Sequence, residues 1–509
     1  MGDFTCSLAI SCAILALVYV TSKFLNWIWI RPKKLEKFLR QQGFHGNSYN
    51  LFHGDLAEMK AATREALSIP INFSNDIFPR VSPFYHKALQ KYGENCFVWI
   101  GPRPVVLISD PEIFREIMSK NYVFPKPHGR PVKRLIARGL ASLEADKWSK
   151  HRKLINPAFH VDKLKHMVPS FYLSCGEMLS KWDEIVGNEG GREVDVWPHL
   201  QTMTSDVISR TAFGSSYEEG RKISRLQSEQ TKRTVGEDRS IHIPGYRFLP
   251  TKGNRKMKQN MKEIESLVLA IINKRKSGEE DHHDLLGLLL QSNSNEIKQQ
   301  GKEFGMSIDE VIEECKLFYF AGQDTTAILL AWTMILLSNH DDWQARARDE
   351  VLQAFGRGKP DYKQLNNLKI VSMILHEVLR LYPPAAMITR CVQEEITVGR
   401  KVRLPAGVEF MFPLIILHQD RRIWGDDAKE FKPERFGDGV PNGAYFPFGW
   451  GPRICIGKNF AMLEAKMAIA MILQRYSFQL SPSYSHAPRM LITLQPQHGA
   501  HLILTKLER

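Results

Sequence analysis

Only seven cysteines occur in 509 residues (Cys6, Cys12, Cys96, Cys175, Cys315, Cys391 and Cys455), and no two of them form a Cys-x-x-Cys pair. A disulfide framework is not expected from that spacing, and the main domain is expected to face a reducing compartment. After residue 50 the chain has no Ser/Gly-rich linker, no low-complexity block and no internal repeat, so one large domain is the simplest organisation. Basic residues exceed acidic ones, 69 to 55, for a net charge of +14. They are scattered among the acids and lack aromatic-interleaved basic motifs, so nucleic acid is not an expected partner. An anionic membrane surface and an acidic protein partner fit the charge better. With 43% hydrophobic and 24% charged residues the composition is that of an ordinary globular protein, which argues against disorder.

Against these absences stands one dense motif. The run Phe448-Gly449-Trp450-Gly451-Pro452-Arg453-Ile454-Cys455-Ile456-Gly457 sets a cysteine in a glycine-bracketed loop, two residues after an arginine. A cysteine that serves as axial ligand to haem iron must stay deprotonated. It also needs backbone N–H groups turned toward its sulfur, and a backbone that can pass close to a flat macrocycle. Gly451 and Gly457 permit that approach. Arg453 is suited to neutralise a haem propionate, and a thiolate ligand pushes electron density that favours O–O cleavage. The plainer reading is a buried loop cysteine. Ten positions of matching chemistry favour Cys455 as a metal ligand instead, and the chemistry implied is oxygen activation.

The N-terminus is apolar. Residues 4–22 are uncharged and about as long as a bilayer-spanning helix requires. After Lys23 apolar character resumes through Phe24, Leu25, Trp27, Ile28, Trp29 and Ile30, with the tryptophans suited to an interface. Arg31, Lys33, Lys34, Lys37 and Arg40 follow, whereas only Asp3 and the terminal amine precede, so the positive-inside rule puts the bulk of the protein in the cytosol. A cleaved signal peptide is the alternative. The length of the segment and its lack of early basic charge favour a retained signal anchor over residues 1–30, a basic linker over 31–50 and a catalytic domain over 51–509, single-pass in the endoplasmic reticulum membrane.

Further on, residues 82–92 read as a helix, and 96–100 with 105–109 as a hairpin turning at Gly101-Pro102. Asp110-Pro111-Glu112 opens a capped helix. Helical periodicity covers 145–155, 161–186, 203–213, 257–274 and 308–338, and short strands return near 396–398 and in the last forty residues. The expected fold is therefore mainly α with minor sheets. Inside the longest apolar helix lies Ala321-Gly322-Gln323-Asp324-Thr325-Thr326. A glycine and an acid cost stability there, which proteins tolerate mainly at functional sites. Ala321 and Gly322 would let a flat cofactor and dioxygen approach the backbone, and Asp324 and Thr325 would relay protons to the oxygen being reduced. A threonine bonded back onto its own helix is the competing reading.

Two charged motifs remain. Glu377 and Arg380 share one helix face at i,i+3 spacing, among Val371, Met373, Leu375 and Leu379, and the run 431–436 supplies Arg435. Trp148 and Arg152 lie one helical turn apart; a surface helix with an amphipathic tryptophan is the bland explanation.

The pattern Phe-x-x-Gly-x-Arg-x-Cys-x-Gly resembles the haem-binding signature of the cytochrome P-450 family. With the other three motifs in order, the resemblance covers the chain from about residue 30 to its end. Residues 318–323, 445–453 and 470–475 resemble the plant microsomal group that contains secologanin synthase. So do residues 31–37 and 39–43, which stand in place of the Pro-Pro-Gly-Pro hinge of other microsomal groups.

The resemblance implies the cytochrome P-450 fold, a large helical domain with a long central helix and small β-sheets, plus one N-terminal transmembrane helix. It implies haem (iron protoporphyrin IX) held by the Cys455 thiolate within the signature residues Phe448, Arg453 and Gly457, with Trp148, Arg152 and Arg390 toward the propionates. It further implies that Glu377, Arg380 and Arg435 tie their helix to the meander leading into the cysteine loop.

The implied reaction hydroxylates or further oxidises a hydrophobic terpenoid (iridoid, diterpenoid or triterpenoid), using O2 and electrons from NADPH through a flavin reductase. Substrate-facing residues are expected from 124–140, 320–325, 385–388 and the turn near Arg489 and Met490. Arg489 itself is expected at solvent rather than at a substrate carboxylate. Lys147, Lys150, Lys153 and Lys458 form either a basic face for the reductase or an ordinary solvated surface. Two rivals stay open: a haem-thiolate isomerase or dehydratase acting on a hydroperoxide, which usually lacks the acid–threonine pair present here, and a non-catalytic haem or lipid-binding module.

Overall fold

The computed structural model describes residues 2–508 other than 128–137, 188–189, 215–216, 239–250, 277–283, 400–401 and 442. At the N-terminus α1 (Gly2–Leu25) runs through a π-helical turn at Asn26–Ile30 into α2 (Arg31–Gln41) without a break. The apolar side chains of α1, from Leu8 to Leu25, are exposed on every side, and the helix is long and apolar enough to cross a bilayer.

The basic linker expected over 31–50 is not a linker but part of the fold. Leu35 and Leu39, one helical turn apart, are buried together with Ile28 and Pro32. Tyr49 donates its hydroxyl to the Ile28 carbonyl at 2.7 Å and packs its ring against Trp99, centroids 4.8 Å apart. Buried Glu36 gathers Lys33 at 3.0 Å, Arg40 at 3.1 Å and the Tyr49 N–H at 3.3 Å. The basic side chains line the outer face of a docked amphipathic helix, and their density hid its apolar stripe.

The main sheet joins β1 (His45–Gly46), β2 (Cys96–Ile100), β3 (Arg103–Leu107), β4 (Met387–Cys391) and β5 (Glu409–Pro413) in the order β1-β2-β3-β5-β4. The expected hairpin is the antiparallel β2/β3 pair, with Gly101 at φ 59° in its turn; β3 ends two residues earlier than anticipated. The parallel pairing of β3 with β5 brings the N-terminal third of the chain against residues 300 positions later. A second sheet, Gly191–Asp195 with His501–Lys506 and Tyr476–Leu480, and the small hairpin of β6 (Pro488–Met490) and β7 (Leu494–Pro496) lie elsewhere on the helical body.

Six helices position the site: α3 (Ala145–Ile155), α4 (Val161–Val186), α5 (Val196–Phe213), α6 (Ile308–Ser338), α7 (Lys369–Leu381) and α8 (Lys458–Leu473). α5 begins at Val196 rather than at the expected 203, because Asp195 caps it by accepting the Trp197 N–H at 3.2 Å. The central helix α6 opens with a reciprocal capping box between Ser307 and Glu310 and spans 31 residues, about 46 Å. Every residue from Thr326 to Ser338 is buried. Although α6 is apolar enough to span a membrane, its burial makes it a core helix. A smaller cluster of Phe97, Trp99, Phe114, Phe410, Phe412 and Phe446 packs beside the main sheet and reaches the start of the cysteine loop.

Candidate functional site

The cysteine loop is built by backbone. Gly449 and Gly451 adopt φ of 75° and 71°, a region open to glycine and costly for other residues. A Cβ on Gly451 would sit 2.7 Å from the Met118 carbonyl oxygen, so this position is closed to any side chain. The Cys455 N–H donates to the Phe448 carbonyl at 2.9 Å, which ties the loop across its mouth. Just upstream, Phe446 stacks on Phe114 with centroids 4.4 Å apart, and its N–H donates to His418 Nε2 at 2.9 Å. His418 must therefore carry its proton on Nδ1, which donates to the Arg380 carbonyl at 3.2 Å. Burial, with help from the Arg380 charge, lowers the His418 pKa to about 3, so the ring is neutral.

Arg380 and Glu377 are fully buried and doubly bonded, with Arg380 Nε and Nη2 each 2.7 Å from a Glu377 oxygen. Arg380 also donates to the carbonyls of His418, Ala428 and Glu430. Arg435 lies 3.7 Å from Glu377 and donates to the Trp424 and Asp427 carbonyls. The three charged residues thus meet, and through His418 they connect to the cysteine loop, a link that no sequence motif announced.

Cys455 has accessible surface, yet burial raises its thiol pKa, partly offset by the Gly457 N–H and by the charges of Arg152 and Lys458. Its open surface therefore faces the interior of the fold rather than bulk water. Phe159, also unforeseen, lies against this spot. Its ring edge is 3.9 Å from where a Gly457 Cβ would stand, and its ring meets Phe318 of α6 at 5.9 Å. Phe318 is one turn before Ala321, which is itself exposed in the middle of this core helix.

The arginines converge on the same loop. Arg152 Nη1 donates to the Ile454 carbonyl at 2.9 Å. Arg453 lies over the Trp148 ring at 4.6 Å and donates through Nη2 to the Leu143 carbonyl at 2.7 Å and to Glu144 at 2.9 Å. Arg390, on β4, donates to the Thr389 carbonyl at 2.8 Å, and burial together with the Arg453 charge lowers its pKa to about 10. Three buried guanidinium nitrogens, Arg390 Nε, Arg453 Nε and Arg453 Nη1, find no acceptor among the described residues. Buried donors of this kind require acceptors, and two carboxylates of a bound group would supply them. Phe448 is half-buried, with the Lys458 ammonium 6.0 Å from its ring.

The central helix corrects one expectation. The missing Cβ of Gly322 would stand 2.8 Å from Ile208 of α5, so this glycine serves close helix packing, and Ala321 alone leaves the open surface. Thr325 donates to the Ala321 carbonyl at 2.7 Å, the back-bonded arrangement weighed above, which leaves its oxygen lone pairs available as acceptors. Asp324 is half-buried and turns to the β6–β7 hairpin. Thr493 donates to one of its oxygens, and Gln495 Nε2 lies 3.1 Å from both. Burial raises the Asp324 pKa against these two bonds.

Of the substrate-facing stretch 124–140, residues 128–137 lie outside the described residues. Phe124 does not face a site; it is buried against Phe410, centroids 5.9 Å apart. Ala386 is also buried, while Ala385 is exposed and Met387, Ile388, Phe320 and Met490 are half-buried. Arg489 is not at solvent as expected. It is half-buried, and its enclosed Nε finds no acceptor among the described residues. Lys147, Lys150 and Lys153 contact the chain itself, pairing with Glu310 at 2.7 Å, the Gly305 carbonyl at 2.9 Å and Glu296 at 2.7 Å.

Comparison with known proteins bears on the same residues. The chain matches the family described as Cytochrome P450 over residues 79–502. It is 58% identical to Cytochrome P450 CYP72A219 of Panax ginseng, over 97% of this chain and 98% of that one. It is 52% identical to 7-deoxyloganic acid hydroxylase of Catharanthus roseus, over 96% and 97% of the two chains, and 49% identical to Secologanin synthase 2 of the same plant, over 98% of each. Members of the matched family bind haem through a cysteine thiolate and use O2 with electrons drawn from NADPH. The one cysteine set in strained glycines with unmet guanidinium donors around it falls within the matched span, and on the extent of these alignments the chain belongs to the cytochrome P450 family of monooxygenases.

Proposed function

We propose that this chain oxidises a terpenoid at a haem that Cys455 would hold, on a catalytic domain anchored by α1 to the endoplasmic reticulum membrane and facing the cytosol. The observation that carries the reading is the cysteine loop, where two positive-φ glycines and the Phe448–Cys455 bond fix one sulfur, and where buried nitrogens of Arg390 and Arg453 find no acceptor among the described residues. Cys455 would hold the iron and Arg390 and Arg453 would meet the propionates, while Arg152 bonds the Ile454 carbonyl and Trp148 lies under Arg453. The bound haem supplies one-electron reduction and activation of dioxygen. Overall, one O2, two electrons and two protons yield a hydroxylated substrate and one water.

The remaining work belongs to side chains of this protein. Ala321 leaves space at the exposed stretch of α6. Thr325, whose hydroxyl donates a hydrogen bond to the Ala321 carbonyl, keeps its oxygen lone pairs free to accept one, and Asp324 is the group that would supply the proton. Phe320, Ile388 and Met490 offer apolar surface to the substrate. Two relatives are named for iridoid chemistry, 7-deoxyloganic acid hydroxylase and Secologanin synthase 2, which supports an iridoid first and a diterpenoid or triterpenoid next. An NADPH-dependent flavin reductase supplies electrons. Lys458, beside the cysteine loop, is the lysine best placed to meet it, since Lys147, Lys150 and Lys153 already have partners.

The test is a panel of iridoids, diterpenoids and triterpenoids incubated with microsomes, reductase and NADPH and read by mass gain of one oxygen. Thr325→Ala should keep the haem spectrum while product per NADPH falls and peroxide rises, because general acid catalysis contributes about 10²- to 10⁴-fold to a step. Product formed without oxygen would refute the monooxygenase assignment in favour of an isomerase.

A further inference from the structure

The carboxylate of Asp324 is held by residues 169 and 171 positions away, on an element not yet given a role. Thr493 lies in the turn just before β7 and Gln495 within β7, and both side chains reach the Asp324 carboxyl. Thr493 donates to Oδ2, Gln495 Nε2 stands 3.1 Å from Oδ1 and Oδ2, and Gln495 lies 3.2 Å from the Thr493 hydroxyl, closing a small ring of bonds. The hairpin is clamped to the same helix two turns on, where the Trp332 indole N–H donates to the Leu494 carbonyl at 2.9 Å, and the Leu494 N–H donates to the Pro384 carbonyl at 3.0 Å. Across the ladder Arg489 pairs with Gln495 and Met490 with Leu494. Arg489 Nε is enclosed and finds no acceptor among the described residues.

We infer that Thr493 and Gln495 are positioning residues for the oxygen reaction: they hold the Asp324 carboxyl and link it to the hairpin that carries Arg489 and Met490. The inference rests on the relay role proposed for Asp324. Two physical effects oppose each other at this group. Burial favours the neutral acid, whereas two donors favour the carboxylate. The carboxyl's hold on its proton therefore depends on residues outside α6. Arg489 stands directly across the strand pair from Gln495, and Met490 from Leu494, so a ligand that displaces β6 would bear on β7.

The experiment uses purified full-length protein with bound haem. The carboxyl C=O stretch of protonated Asp324, identified as the infrared band lost in Asp324→Asn, is titrated in the parent, Thr493→Val, Gln495→Leu and Thr493→Ser. Losing a hydrogen bond to a charged group moves a midpoint by about one to two pH units. Thr493→Val and Gln495→Leu should raise it by that amount, and Thr493→Ser, which keeps the hydroxyl, should not. The same variants are then run with reductase, NADPH and 7-deoxyloganic acid as probe, reading peroxide released per NADPH. Thr493→Val should raise peroxide several-fold with the ferrous carbon monoxide spectrum unchanged, and should add nothing in an Asp324→Asn background. An unmoved midpoint overturns the positioning role whatever Asp324 does. A raised midpoint with parental peroxide, while Asp324→Asn increases it, overturns the functional link. If Asp324→Asn itself leaves peroxide unchanged, the relay reading fails, and the midpoint shows separately whether the tether exists.

Discussion

Replacing Glu377 with alanine strips the counter-charge from Arg380 at a point where neither group reaches water. In the native protein Arg380 makes two bonds of 2.7 Å to Glu377 and three more to backbone carbonyls, and Glu377 also accepts the Lys432 N–H at 2.8 Å. The alanine variant keeps the three carbonyl bonds and loses the rest, leaving a buried cation without a partner. Breaking a buried pair on one side costs about 3–5 kcal/mol, a large share of the roughly 5–15 kcal/mol that stabilises a domain. The damage falls on the cysteine loop, because Arg380 also accepts from His418, His418 accepts from the Phe446 N–H, and Phe446 leads into Phe448, the partner of the Cys455 N–H. The assay pairs a urea titration with the ferrous carbon monoxide difference spectrum. With a denaturant slope of about 1–3 kcal/mol per molar, the midpoint should fall by about 1 M or more, and the fraction of haem showing the thiolate band should fall with it. A Glu377→Ala protein with parental midpoint and full thiolate band would refute the claim that this buried pair supports the loop.

Cys455→Ser should abolish the thiolate band, while serine at Cys96, Cys175, Cys315 or Cys391 should leave it in place; a band surviving in Cys455→Ser removes that residue as ligand. Acid should unfold the protein early, because burial lowers His376, His418 and His486 to about 4, 3 and 4 from the ordinary 6.5. The unfolded chain then binds protons that the folded one refuses, so stability is full above pH 6.5 and falls toward pH 4, with His418 alone contributing a loss of about 2 kcal/mol at pH 5. A urea midpoint flat between pH 7 and 5 would contradict this. Deleting residues 1–25 should leave a folded domain at least partly extractable by salt, whereas deleting 1–30 also removes Ile28 and its bond to Tyr49 and should lower the urea midpoint further. Retention of the shorter deletion in membranes after high salt and mild detergent would show that α1 is not the main attachment.

What the sequence reveals about this protein follows the range of the interactions involved. The capping box of α6, the Asp110 cap, the β2/β3 hairpin and the Glu377–Arg380 pair all depend on residues within a few positions of one another, and each is legible as a spacing. Even so, local patterns mislead where two of them overlap: the basic run 31–40 concealed the Leu35–Leu39 stripe that docks α2. Gly322 reads like a clearance for a cofactor, yet the same absence of a Cβ serves Ile208 on another helix, and only the packing of α5 on α6 decides between them. His418, Phe159, Thr493 and Gln495 carry no signature because their partners lie 28 to 171 residues away. Thr493 lies in a turn and Gln495 in a three-residue strand, too short a stretch for any pattern to say what stands opposite.

The division has a chemical reason. The cysteine loop must hold its sulfur in a fixed place, and its local determinants sit in ten consecutive residues, braced from outside through Arg380, His418 and Phe446. In the proposed relay, Thr325 is bonded within its own helix, while Asp324 is held by Thr493 and Gln495 from a distant element. A relay governed only by its own helix would not sense a ligand at the β6–β7 hairpin. The tether would let a ligand that moves the hairpin reach Asp324, and its partners are found in the tertiary structure and not in the motif.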